Sequence, residues 1–451
     1  MSASDLQYTQ VQHWIQSHKE EIVAFLQEMI RIPSINPYFG GAEAGGEAAV
    51  QEVIARRMAA LGAMVERWEP SAGELAPYAG RAGYYPGRDF TNRPNQAATL
   101  RGAGKGRSLL LTGHVDVVPP GAGWTVDPFA AVRRDGRIFG RGAVDMKGGL
   151  AAMIMAVEAV LGCGLRPAGD IIVGTVVDEE AGGMGTLDFT AHGYRADGAI
   201  LTESTSLHLA PLCRGILWGK LVLQGRSGHI ELPQGDWRDG GAVDAIALAR
   251  LYLDAFDRLN QDWARRKRHP YLPTPCQLYV AQIEAGEYPT AFANRAAIVF
   301  DAQYLPSEKD EMGLGSHVKQ ELSEFVAAVA ATDPWLRENP PHIEWLIDAD
   351  CGETPADHDF VQACLVSLRR MGKEAIIEGV SAHTDMGWFV NVGIPTVNFG
   401  GGEMRVAHQN DESIAEEDLL ATTTMIAYTI LDWCGVAESA PEGAPEREAC
   451  Q

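Results

Sequence analysis

Apolar positions along this chain follow two rhythms, a helical spacing and short continuous runs, and their alternation outlines the fold. Val11, Trp14, Ile15, Ile22, Phe25, Leu26, Met29 and Ile30 share one helical face and predict an amphipathic helix over 10–31, stopped before Ile32-Pro33. A second helix is expected over 46–62, closed by Gly62, and a strand near 63–68. Residues 70–96 are rich in Gly, Pro and Tyr and have no period. They read as a long loop from which Tyr78, Tyr84 or Tyr85 could reach a site. Between 97 and 205, strands at 97–101, 108–113, 170–177 and 198–202 alternate with a strongly apolar helix at 147–161. That order implies a mostly parallel sheet covered by helices.

The pattern changes between 214 and 350. A strand at 217–223, a helix at 241–261, strands at 277–284 and 296–304, a helix at 308–332 and a strand at 342–348 give the order βαββαβ, a separate α+β unit. The α/β pattern then resumes with a helix at 357–371, strands at 375–377 and 396–399, and a helix at 416–433. The expected organisation is a first domain in two parts, 1–213 and 351–451, interrupted by an inserted domain at 214–350. The tail 438–451 is rich in Pro, Glu and Ala and is expected to fray.

Five acid and imidazole groups stand where apolar runs end. Leu109-Leu-Leu-Thr-Gly113 ends in His114-Val-Asp116, Gly140-Arg-Gly-Ala-Val144 in Asp145, and 171–177 in Asp178-Glu179-Glu180. The run 199–202 ends in Glu203, and 397–399 leads through three glycines to His408. Strand ends of an open α/β sheet are where ligands bind, and histidine with carboxylates suits a Zn²⁺-like metal. His114 and Asp116, two apart, share a face while the chain stays extended, so Asp116 could orient His114. Asp145 could bridge two cations, and of Glu179 and Glu180 one would bind metal while the other acts as a base. The glycines before His408 could present N–H groups to an anion or carbonyl. Singly, each has a plainer alternative: a core histidine, a helix cap at Asp145, a solvated Asp-Glu-Glu loop, a surface carboxylate at Glu203. Five at strand ends of one sheet are hard to assemble by chance.

Composition narrows the classes. The 451 residues suit two domains and are 46% hydrophobic. A net charge of −23 opposes binding to nucleic acid or an anionic membrane. No run reaches the ~20 apolar residues of a membrane span, and 1–19 lacks a signal-peptide core. The seven cysteines include no C-x-x-C pair, which disfavours a disulfide framework or thiolate zinc site and fits a reduced cytoplasm.

With these motifs on the page, the chain resembles the M20 metallopeptidase/aminoacylase family, including its acetylornithine deacetylase and succinyl-diaminopimelate desuccinylase group. The resemblance runs from Arg31-Ile-Pro-Ser34 to Glu412 and rests on Gly113-His-Val-Asp116, Gly140-Arg-Gly-Ala-Val-Asp-Met-Lys147, Asp178-Glu-Glu180, Glu203-Ser-Thr205 and Ala407-His408 with Asp411-Glu412. It implies a metal-dependent exopeptidase-like α/β fold whose insert is a lid and dimerisation domain. It implies one or two divalent ions (Zn, Mn or Co) bridged by Asp145, one completed by His114 and Glu203, the other by Glu180 and His408. Glu179 would be the general base, Asp116 the partner of His114, and the Asp145-Met146 peptide cis. His229, in Gly225-Arg-Ser-Gly-His229, would enter a partner subunit's site and stabilise the oxyanion. The chain departs from the family at Thr290, Ala293 and Gln303, which stand where Asn, Pro and a carboxylate-binding Arg are usual. That weakens the expectation of an ordinary N-acyl amino acid and leaves Arg214 and Arg226 as possible anion partners. His383, in Ser381-Ala-His-Thr-Asp385, is unusual and falls in a segment expected near the pocket; a surface or core histidine is the other reading.

The expected function is therefore metal-dependent hydrolysis of a C–N bond in a small molecule, with Glu179 activating water at the metal. The alternative is an aminohydrolase that releases ammonia from an aromatic amine or amidine-type carbon. A non-catalytic binding protein on the same fold is a third reading, disfavoured because every ligand and the base are present. A homodimer or higher homo-oligomer through the lid is the expected assembly.

Overall fold

Where apolar runs are cut short by turn residues, they become the strands of three sheets. The computed structural model describes residues 3–40 and 44–437. Its strands are β1 (Met64–Trp68), β2 (Asn95–Leu100), β3 (Leu109–His114), β4 (Val132–Arg134), β5 (Arg137–Phe139), β6 (Ile171–Val176), β7 (Ala199–Leu201), β8 (Gly215–Gln224), β9 (Leu278–Ala285), β10 (Arg295–Tyr304), β11 (His342–Ala349), β12 (Thr396–Asn398) and β13 (Ser413–Ala415).

The largest sheet has the order β1-β2-β6-β3-β7-β12. β6, β3, β7 and β12 pair in parallel, and β1/β2 and β2/β6 are antiparallel. β3, β6 and β7 are buried along their whole length, which is why they read as unbroken apolar runs. The helix Lys147–Gly162, buried on nearly every side, lies over β3 and under the helix Glu416–Thr429. The other face is covered by the helices Met184–Ala191 and Met386–Asn391, through Phe189 and Phe389. The structure is thus the expected mixed, mostly parallel sheet between helices.

Residues 215–349 build the second sheet, β11-β8-β10-β9, antiparallel throughout. The helix Ala245–Arg266 buries Tyr252, Phe256, Leu259 and Trp263, beside the helix Ser316–Ala330. This is the βαββαβ order read from the sequence. A third, small sheet, β13-β5-β4, was not foreseen. Its hairpin turns at Asp135-Gly136, both with positive φ, but its three-residue strands are too short to show a period.

Other boundaries differ for local reasons. The expected helix 10–31 is two, Ala3–Ser17 and Lys19–Ile30. At the break, the His18 ring stacks on Trp14 and its Nδ1 lies 2.8 Å from the Trp14 carbonyl, so a side chain takes up an end-of-helix acceptor. The helix expected over 308–332 begins only at Ser316, because the Asp310 carboxylate accepts from the Met312 and Leu314 amides and holds a turn. The last helix passes at Thr429 into a π turn, Ile430–Cys434. The strand expected at 375–377 is a single bridge between Leu209 and Ile377. The tail 438–451 lies outside the described residues. Among the described residues the cysteines are unpaired, and no helix is long and apolar enough to cross a membrane.

Candidate functional site

The C-terminal ends of the parallel strands meet at one cavity of about 380 Å³. β3 delivers His114 and β6 leads into the turn Glu179–Ala181. Glu203 follows β7, and the segment after β12 carries His408. Asp145 stands at the entry to the helix Lys147–Gly162, and its peptide to Met146 is cis. One Asp145 oxygen lies 3.1 Å from His114 Nε2 and the other 3.2 Å from His408 Nε2. Glu203 is 3.6 Å from His114 Nε2, and Glu180 is 3.1 Å from His408 Nε2. Asp145 therefore sits between two histidine–carboxylate pairs. Glu179, 3.7 Å from His114 Nε2, faces the same space.

His114 is locked by its own loop. Its Nδ1 lies 2.9 Å from the Asp116 main-chain oxygen, and a carbonyl can only accept, so Nδ1 carries the hydrogen and Nε2 offers its lone pair to the cavity. The sequence assigns this task to the Asp116 carboxylate, which is farther away at 3.6 Å. That carboxylate instead accepts from Asn36 at 2.8 Å and from the Glu180 and Glu179 amides at 3.2 and 3.4 Å. Asp116 thus fixes the imidazole through its backbone and the acidic turn through its side chain.

The turn is bent by three residues with positive φ, Asp178, Gly182 and Gly183. A Cβ at Gly182 would meet the Tyr85 hydroxyl at 2.4 Å, so only glycine lets the loop pack there. Tyr85 donates to Gly182 O and Asp348 O, and Arg88 donates to Ala181 O. The 70–96 loop therefore buttresses the turn through Tyr85, while Tyr78 and Tyr84 pack against the core. The Asp145 loop is held by buried Glu412, which takes the Val144 and Asp145 amides at 2.7 and 3.1 Å and Arg141 at 2.6 Å.

Burial and like-charge crowding push the carboxyls of Glu179, Glu180 and Glu203 up. Desolvation opposes charge on His114 and His408, but the surrounding carboxylates outweigh it and raise both. Asp145, buried between the two imidazoles, is held well below the usual range by them. No lysine or arginine among the described residues lines this cavity, and Glu180 Oε1 is buried without a hydrogen-bond partner. Asp145, Glu179, Glu180 and Glu203 around the His114 and His408 imidazoles, with no lysine or arginine lining the cavity among the described residues, form a donor set that fits divalent metal.

Seven of the eight site residues singled out from sequence gather here. The eighth, His229, is exposed on a loop of the 215–349 unit, away from this cavity. The suggested anion partners are occupied elsewhere. Arg214 is buried against Gln303, Ser381 and Thr274, and Arg226 bonds Trp237 O. Nor are the glycines before His408 a cradle, because the Gly400 and Gly401 amides are taken by the Thr205 and Thr422 hydroxyls. Sequence reasoning missed Asn36, the buried Glu47–Arg93–Asp178 network behind it, and the anchoring by Glu412. Of these Asp178 and Glu412 lay in motifs; Asn36, following Ile35, carried no spacing to mark it.

The family model of peptidase family M20/M25/M40 matches residues 110–432. An N-formyl-4-amino-5-aminomethyl-2-methylpyrimidine deformylase from Bacillus subtilis is 29% identical over 450 residues, covering 95% of this chain and 98% of its own. A deformylase of the same name from Halalkalibacterium halodurans is 30% identical, with 93% and 96% covered. Among solved structures, a dipeptidase from Saccharomyces cerevisiae superposes with a TM-score of 0.70 at 16% identity over 96% of this chain and 99% of that one, a likeness of fold. The chain belongs to peptidase family M20/M25/M40 and is a hydrolase of carbon–nitrogen bonds in small molecules.

Proposed function

We propose that the protein is a two-metal N-deacylase that removes a small acyl group, formyl in the first instance, from an amine on a heteroaromatic compound. The observation that carries this reading is Asp145 between two histidine–carboxylate pairs, with Glu179 facing the same cavity outside both. His114, Asp145 and Glu203 would hold one divalent ion, and Glu180, Asp145 and His408 the other; Zn²⁺, Mn²⁺ and Co²⁺ all suit such ligands. Bound ions would supply Lewis acidity toward water and the acyl carbonyl. Glu179 takes the proton of the attacking water as the acyl C–O bond forms, and returns it to the departing nitrogen as the C–N bond breaks. Asp116 keeps base and imidazole in register. The formyl reading draws on two relatives bearing that activity over more than nine-tenths of the chain. The lack of a lysine or arginine lining the cavity among the described residues supports it, because carboxylate recognition calls for one.

The unit 214–350 acts in this reading as lid and dimerisation domain. Its edge strand β9 exposes Tyr279, Val280 and Ile283, suited to a second copy, whose active site would receive His229 as oxyanion donor. The cysteines, unpaired among the described residues, suit a reduced cytoplasm.

The test is product analysis on metal-loaded protein with N-formyl-4-amino-5-aminomethyl-2-methylpyrimidine. Formate is the expected product, and Glu179→Gln is expected to lower kcat by about 10²–10⁴-fold at unchanged metal content. Ammonia in place of formate, or near wild-type turnover by the variant, would overturn the reading.

A further inference from the structure

The cavity is also lined by Trp218, Asp301 and Gln303 of the second sheet and by His383, whose ring nitrogen lies within 4.8 Å of carboxylate oxygens of Glu179 and Asp385. Most hydrogen-bond donors on and behind this wall are engaged, Arg214 Nε being buried without a partner among the described residues. Arg214 gives Nη1 to Gln303 Oε1 at 2.8 Å and to Ser381 O at 3.1 Å, and Nη2 to Thr274 Oγ1 at 3.1 Å. Gln303 Nε2 donates to Ser381 O at 3.2 Å, and Trp218 Nε1 donates to Asp301 Oδ2 at 3.0 Å.

Two acceptors remain open. His383 Nδ1 lies 2.9 Å from the Asp350 carbonyl, so Nδ1 carries the hydrogen and Nε2 is a lone pair. The side chain is 7% exposed, yet Nε2 has no hydrogen-bond partner among the described residues. Asp385 Oδ1, at 4.0 Å, is too far to bond it. Burial keeps this imidazole neutral, its pKa pushed down to about 4. Asp301 Oδ1 is likewise buried and unpartnered. Buried polar atoms are nearly always satisfied, and exceptions at a cavity call for a ligand that supplies the missing group.

We propose that His383 Nε2 and Asp301 Oδ1 form a subsite of two hydrogen-bond acceptors that reads an amino group on the substrate, so that the enzyme selects amino-bearing compounds over carboxylates. The inference rests on reading this cavity as the deacylase site. A ring amine presents two N–H donors to these acceptors, whereas a carboxylate presents only lone pairs and negative charge.

The experiment pairs N-formyl-4-amino-5-aminomethyl-2-methylpyrimidine with the same compound lacking the ring amino group. Both are assayed for kcat/KM on wild type, His383→Ala and Asp301→Ala. The two free amines are titrated calorimetrically into the same proteins, which reads the subsite without turnover. Wild type is expected to favour the amino-bearing partner of each pair by about 10–100-fold, and each variant to shrink that ratio toward unity. Hydrolysis of both compounds at a ratio unmoved by either variant overturns the subsite and leaves the deformylase reading standing. No hydrolysis, but amine binding that depends on His383, overturns the deformylase reading and upholds the subsite. Absence of both hydrolysis and preferential binding overturns both.

Discussion

A single residue, Asp116, shows how much of this site depends on atoms that a sequence motif does not distinguish. Its carbonyl sets the His114 tautomer, and its carboxylate pins the amides of Glu179 and Glu180. Asp301 is the residue whose charge state bears on stability. Burial pushes its carboxyl up from 3.8 to about 6, against the pull of the Trp218 hydrogen bond. The folded chain binds that proton more tightly than the unfolded one. The stabilisation is therefore complete below about 3.8 and lost as pH rises to about 6, which at roughly 1.4 kcal/mol per unit amounts to about 3 kcal/mol. Asp301→Asn should remove this component. Urea unfolding between pH 4 and 6 is expected to show a smaller loss of stability in the variant than in wild type, and parallel profiles would contradict the assignment.

Among elements, those with long apolar faces or fully buried runs were legible from sequence: the parallel centre β3–β6–β7, the helix Lys147–Gly162 and the βαββαβ insert. What escaped was decided by contacts distant in sequence or by side chains acting on their own backbone. The β4–β5 hairpin needs β13, some 275 residues on, to become a sheet, and His18 splits a helix whose apolar face continues past it. The candidate ligand set was legible because its members follow apolar runs, although Asp145 enters a helix rather than ending a strand, whereas the supports behind it, Asn36, Arg93 and Tyr85, sit in segments without a period. The Asp145 loop depends on such a support. Arg141 and Glu412 are buried together, 1% and 0% exposed, and Glu412 also holds the loop's amides. Arg141→Ala leaves that carboxylate buried without its counter-charge and should cost about 3–5 kcal/mol in chemical denaturation. A loss under 1 kcal/mol would show the pair to be dispensable.

For the whole molecule, the proposed role of His229 in a partner's active site makes activity a property of two copies. Glu179→Ala and His229→Ala proteins, each inactive alone, should complement when unfolded and refolded together, because each mixed dimer holds one intact site. Random pairing would restore about a quarter of wild-type activity. Failure to regain activity, with mixed dimers demonstrated by mass, would place His229 outside the reaction.

The wall carrying Trp218, Asp301 and Gln303 belongs to one sheet, and the strand ends carrying His114, Glu179 and Glu203 to another. Substitutions at Trp218, Asp301 or Gln303 can therefore alter what is accepted while the strand-end groups that cleave it stay in place. Gln303, where the resemblance led to an expected arginine, is one such position. A lineage can drift from one acylated amine to another through mutations on one sheet alone, each intermediate still able to hydrolyse something.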